Sequence, residues 1–323
     1  MFRVRRSVWG LACALGLWLI GSTQTAGGHG RPTSRPAAKE GHRRGWLAKQ
    51  QAERALQEKS GQSEKKAGER RVFRVAGTEF AMRWIPAGSF VEGCPKRDKE
   101  GFRHEKKQRE VRVSRGFWIA ETEVTQEQYA AIMGKNPSHF RGCGGRCPVE
   151  GVSWYDVAAF TNKLSEKEGL QRCFVGREGK LEGTGDGKID YVHCRGWRLP
   201  TEVEWEYAAR AGEKNARYGK IDEIAWYLHN SGQKTHPVGQ KKPNAWGLYD
   251  VLGNVWEWTY SLYNPQEKQT QNNPTGASQG DLRILHGGCW FSHEGATRIT
   301  FLHLSIPEDA NGHYGFRLVR FDG

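Results

Sequence analysis

The run Gly247-Leu-Tyr-Asp-Val-Leu-Gly-Asn-Val-Trp-Glu-Trp-Thr259 packs two tryptophans, the carboxylate between them and a Gly-Asn turn into thirteen residues. Neither a helical period nor strand alternation accounts for that order. Two other stretches share its density of aromatic and charged residues: WRLPTEVEWEYAARAG at 197–212 and GFRLVR at 315–320. In the first, Thr201 stands three residues ahead of Glu204, a spacing that caps a helix by satisfying its orphaned backbone donors. Thr125 with Gln128 and Ser153 with Asp156 repeat the pattern, and Gly134, Gly169 and Gly212 supply stops. Val157, Phe160 and Leu164 give the second of these helices one buried stripe. Upstream, VFRVAGTEFAMRWIPAGSF reads as a hairpin turning at Ala-Gly, and GFWIAETEVT as a further strand. From Tyr218 to Asn311 the periodicity fades while tryptophans persist, which predicts loops packed on a small sheet.

The chain is 323 residues long with a formal charge of +13, but that charge is unevenly spread. The first six residues carry +3 and residues 31–71 carry +7, which leaves +3 for residues 72–323. A basic stripe on the fold itself, as nucleic-acid binding requires, is therefore not expected. Arg3, Arg5 and Arg6 followed by the apolar run Val8–Ile20 form a signal peptide or anchor over residues 1–26, too short for an ordinary membrane span. Residues 27–71 hold few large apolar residues, so they read as a basic disordered linker, with a short helix allowed over 46–58. The folded domain is expected over 72–323. Export, to the periplasm or outside the cell, would place the cysteines in an oxidising compartment. Cys143 with Cys147 and Cys173 with Cys194 are the expected disulfides, the second closing a Gly- and charge-rich insertion. For Cys289 a buried thiol or a bond to Cys94 is expected.

Taken together and in this order, the three motifs resemble the formylglycine-generating enzyme family, also called sulfatase-modifying factors, from about Val72 to Arg320. The resemblance implies an α+β fold related to C-type lectin domains, with few helices and much irregular structure. Members that make formylglycine hold copper on a cysteine pair that follows a Gly-Gly-Ser-Trp-like turn. Here the turn reads Gly287-Gly288-Cys289-Trp290, and the matching positions are Ser292 and Thr297. Thiolates suit that soft ion as hydroxyls do not, so copper-dependent cysteine oxidation is not expected and no catalytic residue is assigned. His293 and Arg298 follow the two positions as in the family. Cys289, Ser292, His293, Thr297 and Arg298 are therefore the cleft candidates.

The resemblance also places a structural calcium at Asp250, Gly253, Val255 and Glu257, with Gly253 and Val255 offering backbone carbonyls. The other reading of Glu257 is a hydrogen-bonded structural carboxylate. A second calcium site of the family is not expected, because neither Ile224 nor Ala225 has a side-chain oxygen. His286, Cys289 and His293 lack the spacing of a standard metal site. Asp186 to Asp190 reads as a hairpin tip, and Glu204 and Glu206 are assigned no catalytic role. The expected function is an exported domain binding a peptide, protein or envelope component, with possible membrane association through the N-terminus. The alternative is an oxidative tailoring or maturation enzyme of the superfamily that uses different residues.

Overall fold

The computed structural model describes residues 65–321, apart from 97, 103–104, 106, 178–179, 183–190 and 268. The signal or anchor at 1–26, nearly all of the linker and the Asp186–Asp190 tip lie outside the described residues. The first half of the domain runs β1 (Arg70–Val75), β2 (Thr78–Ile85), β3 (Gly88–Glu92), β4 (Arg109–Val113), β5 (Phe117–Ala120), α1 (Gln126–Met133), α2 (Trp154–Lys167), β6 (Val175–Arg177), β7 (Lys180–Glu182) and β8 (Trp197–Arg198). The second half runs α3 (Glu202–Arg210), α4 (Ile221–Ile224), β9 (Ala225–Trp226), β10 (Leu252–Gly253), β11 (Trp256–Leu262), β12 (Arg283–His286), β13 (His303–Ser305), β14 (Tyr314–Gly315) and β15 (Val319–Arg320). This is the α+β architecture expected, and its first strand begins two residues before the boundary set at 72.

Each early element forms where its local chemistry asks. Ala76 and Gly77 both take positive φ, 49° and 81°, so β1 and β2 pair in register from Val75 against Thr78. α1, α2 and α3, the three helices expected from the sequence, carry the reciprocal capping box. α1 ends on left-handed Gly134, and α3 on left-handed Ala211, one residue before the expected Gly212.

Five strands make an antiparallel sheet in the order β1-β2-β5-β15-β8. Its strand β5 is buried on both faces, as a continuous apolar run predicts. Trp118 and Ala120 face a core shared with Tyr129, Val157, Phe160 and Leu164 of α1 and α2. Phe117 and Ile119 face a second core with Val203, Trp205 and Ala208 of α3. Beyond the helices the irregular region holds a four-stranded sheet, β13-β12-β11-β14, in which β11 and β14 run parallel. Cys143–Cys147 and Cys173–Cys194 are disulfides, with Cα atoms 6.0 and 5.8 Å apart. Cys94 and Cys289 are free.

Candidate functional site

The 287–298 loop is built on two glycines that no other residue could replace without strain. Gly287 and Gly288 have φ of 97° and 86°, and a Cβ at Gly287 would lie 2.7 Å from the Val251 carbonyl. This close approach lets the loop zip onto the Gly-Asn turn. Gly253 N–H donates to Gly287 O at 2.9 Å, and Trp290 N–H to Asn254 O at 2.8 Å. Gly253 is itself constrained, with φ of 84° and room for no Cβ beside the Trp226 backbone.

The five cleft candidates take different positions. Cys289 is buried; its N–H donates to Ser292 Oγ at 2.9 Å, and its Sγ lies 3.4 Å from the same oxygen. Thr297 is fully buried and its hydroxyl donates to His293 O at 3.0 Å. The His293 side chain is exposed. Arg298 is buried in ion pairs with Glu105 and, at 2.9 Å, with Asp98, so it ties both carboxylates to the loop. His286 does not join Cys289 and His293: it lies in the interior, stacked on Trp205 with ring centroids 4.5 Å apart.

Residues not singled out from the sequence complete the site. His313 Nδ1 lies 3.6 Å from Cys289 Sγ, and its ring stacks on Trp290 at 4.8 Å. His303 stacks on Trp256 at 4.9 Å and shares a 2.7 Å hydrogen bond with the Tyr314 hydroxyl. Burial, with His313 nearby, pushes the His303 pKa down to about 4. Phe301 bridges Trp256 to Phe102, and both Phe102 and Phe291 present exposed rings. The result is a wall of flat rings beside Ser292, suited to stacking against apolar or planar groups. Partners from 256, 303 and 313 leave no local spacing to detect.

Behind this wall lies a buried polar cluster. Glu257 receives two hydrogen bonds from Arg317, 2.6 and 2.5 Å, and one from the Trp205 indole at 2.6 Å. Both oxygens of Glu257 are thus hydrogen-bonded. Asp250, with φ of 52°, accepts from Gly239 N–H through Oδ2 at 2.6 Å, while its buried Oδ1 has no partner. Glu123 Oε1 is likewise buried without a partner. Burial raises the pKa of both groups, that of Asp250 to about 6. Three carboxylates therefore share the field of one guanidinium, and two of them keep a buried oxygen without a partner, the donor type a hard cation takes, although the three do not converge as closely as a ligand set. Asp250 and Glu123 have oxygens to give it, whereas both oxygens of Glu257 are already engaged.

A second acidic group was not legible in the sequence. Oxygens of Glu92, Glu202 and Glu206 converge within 4.8 Å, all buried. Arg109 pairs with Glu92 at 2.5 Å and Arg210 with Glu206 at 2.7 Å. Glu206 titrates at about 7, raised by burial. Glu204 pairs with Arg198 and caps α3, in keeping with a structural role.

Comparisons with known proteins agree with this architecture. Residues 69–321 match the sulfatase-modifying factor enzyme 1-like domain. A chaperone protein, LppX, of Paenibacillus barcinonensis is 33% identical over 237 residues, 63% of this chain and 80% of that protein. The formylglycine-generating enzyme of Streptomyces coelicolor is 29% identical over 286 residues, 76% of this chain and 87% of the enzyme. Among solved structures, Treponema denticola variable protein 1 superposes with a TM-score of 0.68 at 34% identity, covering 78% of this chain and 98% of its own. With the α+β fold, the Gly-Gly loop and the Gly-Asn turn all in place, the chain belongs to the sulfatase-modifying factor enzyme 1-like domain family.

Proposed function

We propose that this chain is an exported family member without copper-dependent cysteine oxidation, which uses the wall of aromatic rings around the 287–298 loop to bind a peptide or another envelope component. The reading rests on Ser292 and Thr297, hydroxyls at the positions that the resemblance sets against the copper thiols of the family. The Thr297 hydroxyl is moreover committed to the His293 carbonyl, so a soft metal finds no ligand there. The exposed rings of Phe102 and Phe291 support ligand binding. Two disulfides are compatible with an oxidising compartment, and the name of the Paenibacillus relative, a chaperone protein, is in keeping with a protein partner. The basic N-terminal segment would hold the domain near anionic envelope surfaces.

In this reading calcium is structural. Asp250 Oδ1, the Gly253 and Val255 carbonyls and the neighbouring charges of Glu123 and Glu257 would hold it, and it would supply charge compensation rather than chemistry.

The test is incubation with a Cys-x-Pro-x-Arg peptide, copper and oxygen, alongside titration of extended peptides and isolated envelope polymers against tryptophan fluorescence. Binding without aldehyde formation, weakened by Phe291→Ala, is expected. A metal-dependent aldehyde product would overturn the non-oxidising part. A flat titration with every peptide and polymer would overturn the binding part.

A further inference from the structure

The thiol of the 287–298 loop sits in surroundings that packing alone does not call for. A buried structural cysteine behaves as a small hydrophobe among carbon atoms. Cys289 packs at the edge of the first core, yet its Sγ also faces His313 Nδ1 at 3.6 Å and Ser292 Oγ at 3.4 Å, and it accepts the Phe291 N–H at 3.4 Å. A nucleophile and a base within hydrogen-bond reach, with the base oriented by further contacts, is the arrangement used for covalent catalysis. The His313 ring is so oriented. It stacks on Trp290, whose indole N–H is fixed to Gly312 O at 2.8 Å. The His313 backbone is held by Asn311 Oδ1 at 3.0 Å and by Trp256 N–H at 2.7 Å.

We propose that Cys289 is a nucleophile that accepts short acyl groups from ester or thioester carbonyls, with His313 as its general base. The Cys289 S–H proton passes to His313 Nδ1 as the sulfur adds to the carbonyl carbon. The adduct collapses with cleavage of the bond to the leaving oxygen or sulfur, which takes the proton back from the imidazolium. Water, deprotonated by the same imidazole, then adds to the thioester and releases a carboxylic acid and the free thiol. No atom changes oxidation state and no further reactant is needed.

Burial raises the thiol pKa, while hydrogen bonds from Ser292, Phe291 and the Trp256 indole oppose that rise. Burial also lowers the pKa of His313, which keeps the ring neutral and able to accept a proton. Burial sets the substrate class. Cys289 is only 3% exposed, so the shortest acyl group, acetyl, displaces the least packing in reaching the sulfur and a long acyl chain the most. This activity goes beyond the ligand-binding reading. The two are separable, since one is read by peptide titration and the other by a covalent adduct.

The test uses the full chain with p-nitrophenyl acetate, with p-nitrophenyl octanoate as the size control. A burst of p-nitrophenolate is expected, with one acetyl group mapped to the tryptic peptide that holds Cys289 and little reaction with the octanoate. Cys289→Ala should abolish the adduct, His313→Asn should slow the burst by on the order of 100-fold, and Cys94→Ser should leave it intact. If either site variant fails to fold, adduct mapping on the wild type decides alone. Acetyl found only on lysines or on Cys94, or an unchanged burst in folded His313→Asn, would overturn the proposal.

Discussion

Replacing Glu257 with Gln keeps the side-chain volume and an acceptor for the Trp205 indole, yet it strips the counter-charge from a guanidinium that is 1% exposed. Removing one partner of a buried ion pair costs about 3–5 kcal/mol, because the other charge is left uncompensated. Glu123 and Asp250 also act on Arg317, which places the loss near the lower end, at about 3 kcal/mol. For a domain of this size that corresponds to a fall of roughly 6–12 °C in Tm. Urea unfolding in the presence of chelator isolates the ion pair from any cation. A loss below about 1 kcal/mol, the scale of one neutral hydrogen bond, would refute the reasoning.

Chelation should lower the Tm of the wild type, because an ion at one hundred times its dissociation constant adds about 2.7 kcal/mol. Asp250→Asn, which keeps the acceptor for Gly239, should erase that response, whereas a wild-type Tm indifferent to chelator would dismiss the cation. Opening Cys173–Cys194 by paired serine substitutions should cost on the order of 3 kcal/mol in urea, more than opening the shorter Cys143–Cys147 loop; equal losses would argue against the loop-entropy account. His303 is held neutral, with a pKa near 4 in the fold against about 6.5 in the unfolded chain. Its contribution is therefore complete above pH of about 6.5 and is lost as pH falls toward about 4. His303→Gln should flatten the stability profile across that window, and a slope unchanged from wild type would assign the acid sensitivity elsewhere.

What the sequence made legible was local. The capping boxes at Thr125, Ser153 and Thr201, the Ala76-Gly77 turn and the two disulfides follow from residues close in the chain, where steric and hydrogen-bonding rules act without tertiary help. Glu257 shows where that stops. Its motif marked it as notable, but its partner Arg317 lies in a different motif sixty residues on, so the ion pair has no local signature. His313 stayed invisible for the same reason, because its meaning comes from Cys289 and Trp290, which reach it only across β11 and β14. The meeting of Glu92 with Glu206 depends on β3 packing against α3, and no spacing encodes that. In the region from Tyr218 to Asn311, strands as short as two residues carry too few alternations to register as a period.

The place of β15 in the five-stranded sheet has a kinetic consequence. Ile119 pairs with Val319, and Val319 in turn with Arg198, so the last strand of the domain is wedged between two much earlier ones. β8 has no other neighbour in that sheet. Until residues 319–320 arrive, β5 lacks one edge partner and both cores lack a wall, since Leu318 and Val319 face opposite cores. Pairings this distant in sequence must meet the loop-closure entropy before any contact rewards it, which makes folding slow and strongly cooperative. A chain that cannot finish its sheet early stays open during synthesis, and a cut just before Gly315 would dismantle the domain as a whole instead of trimming it.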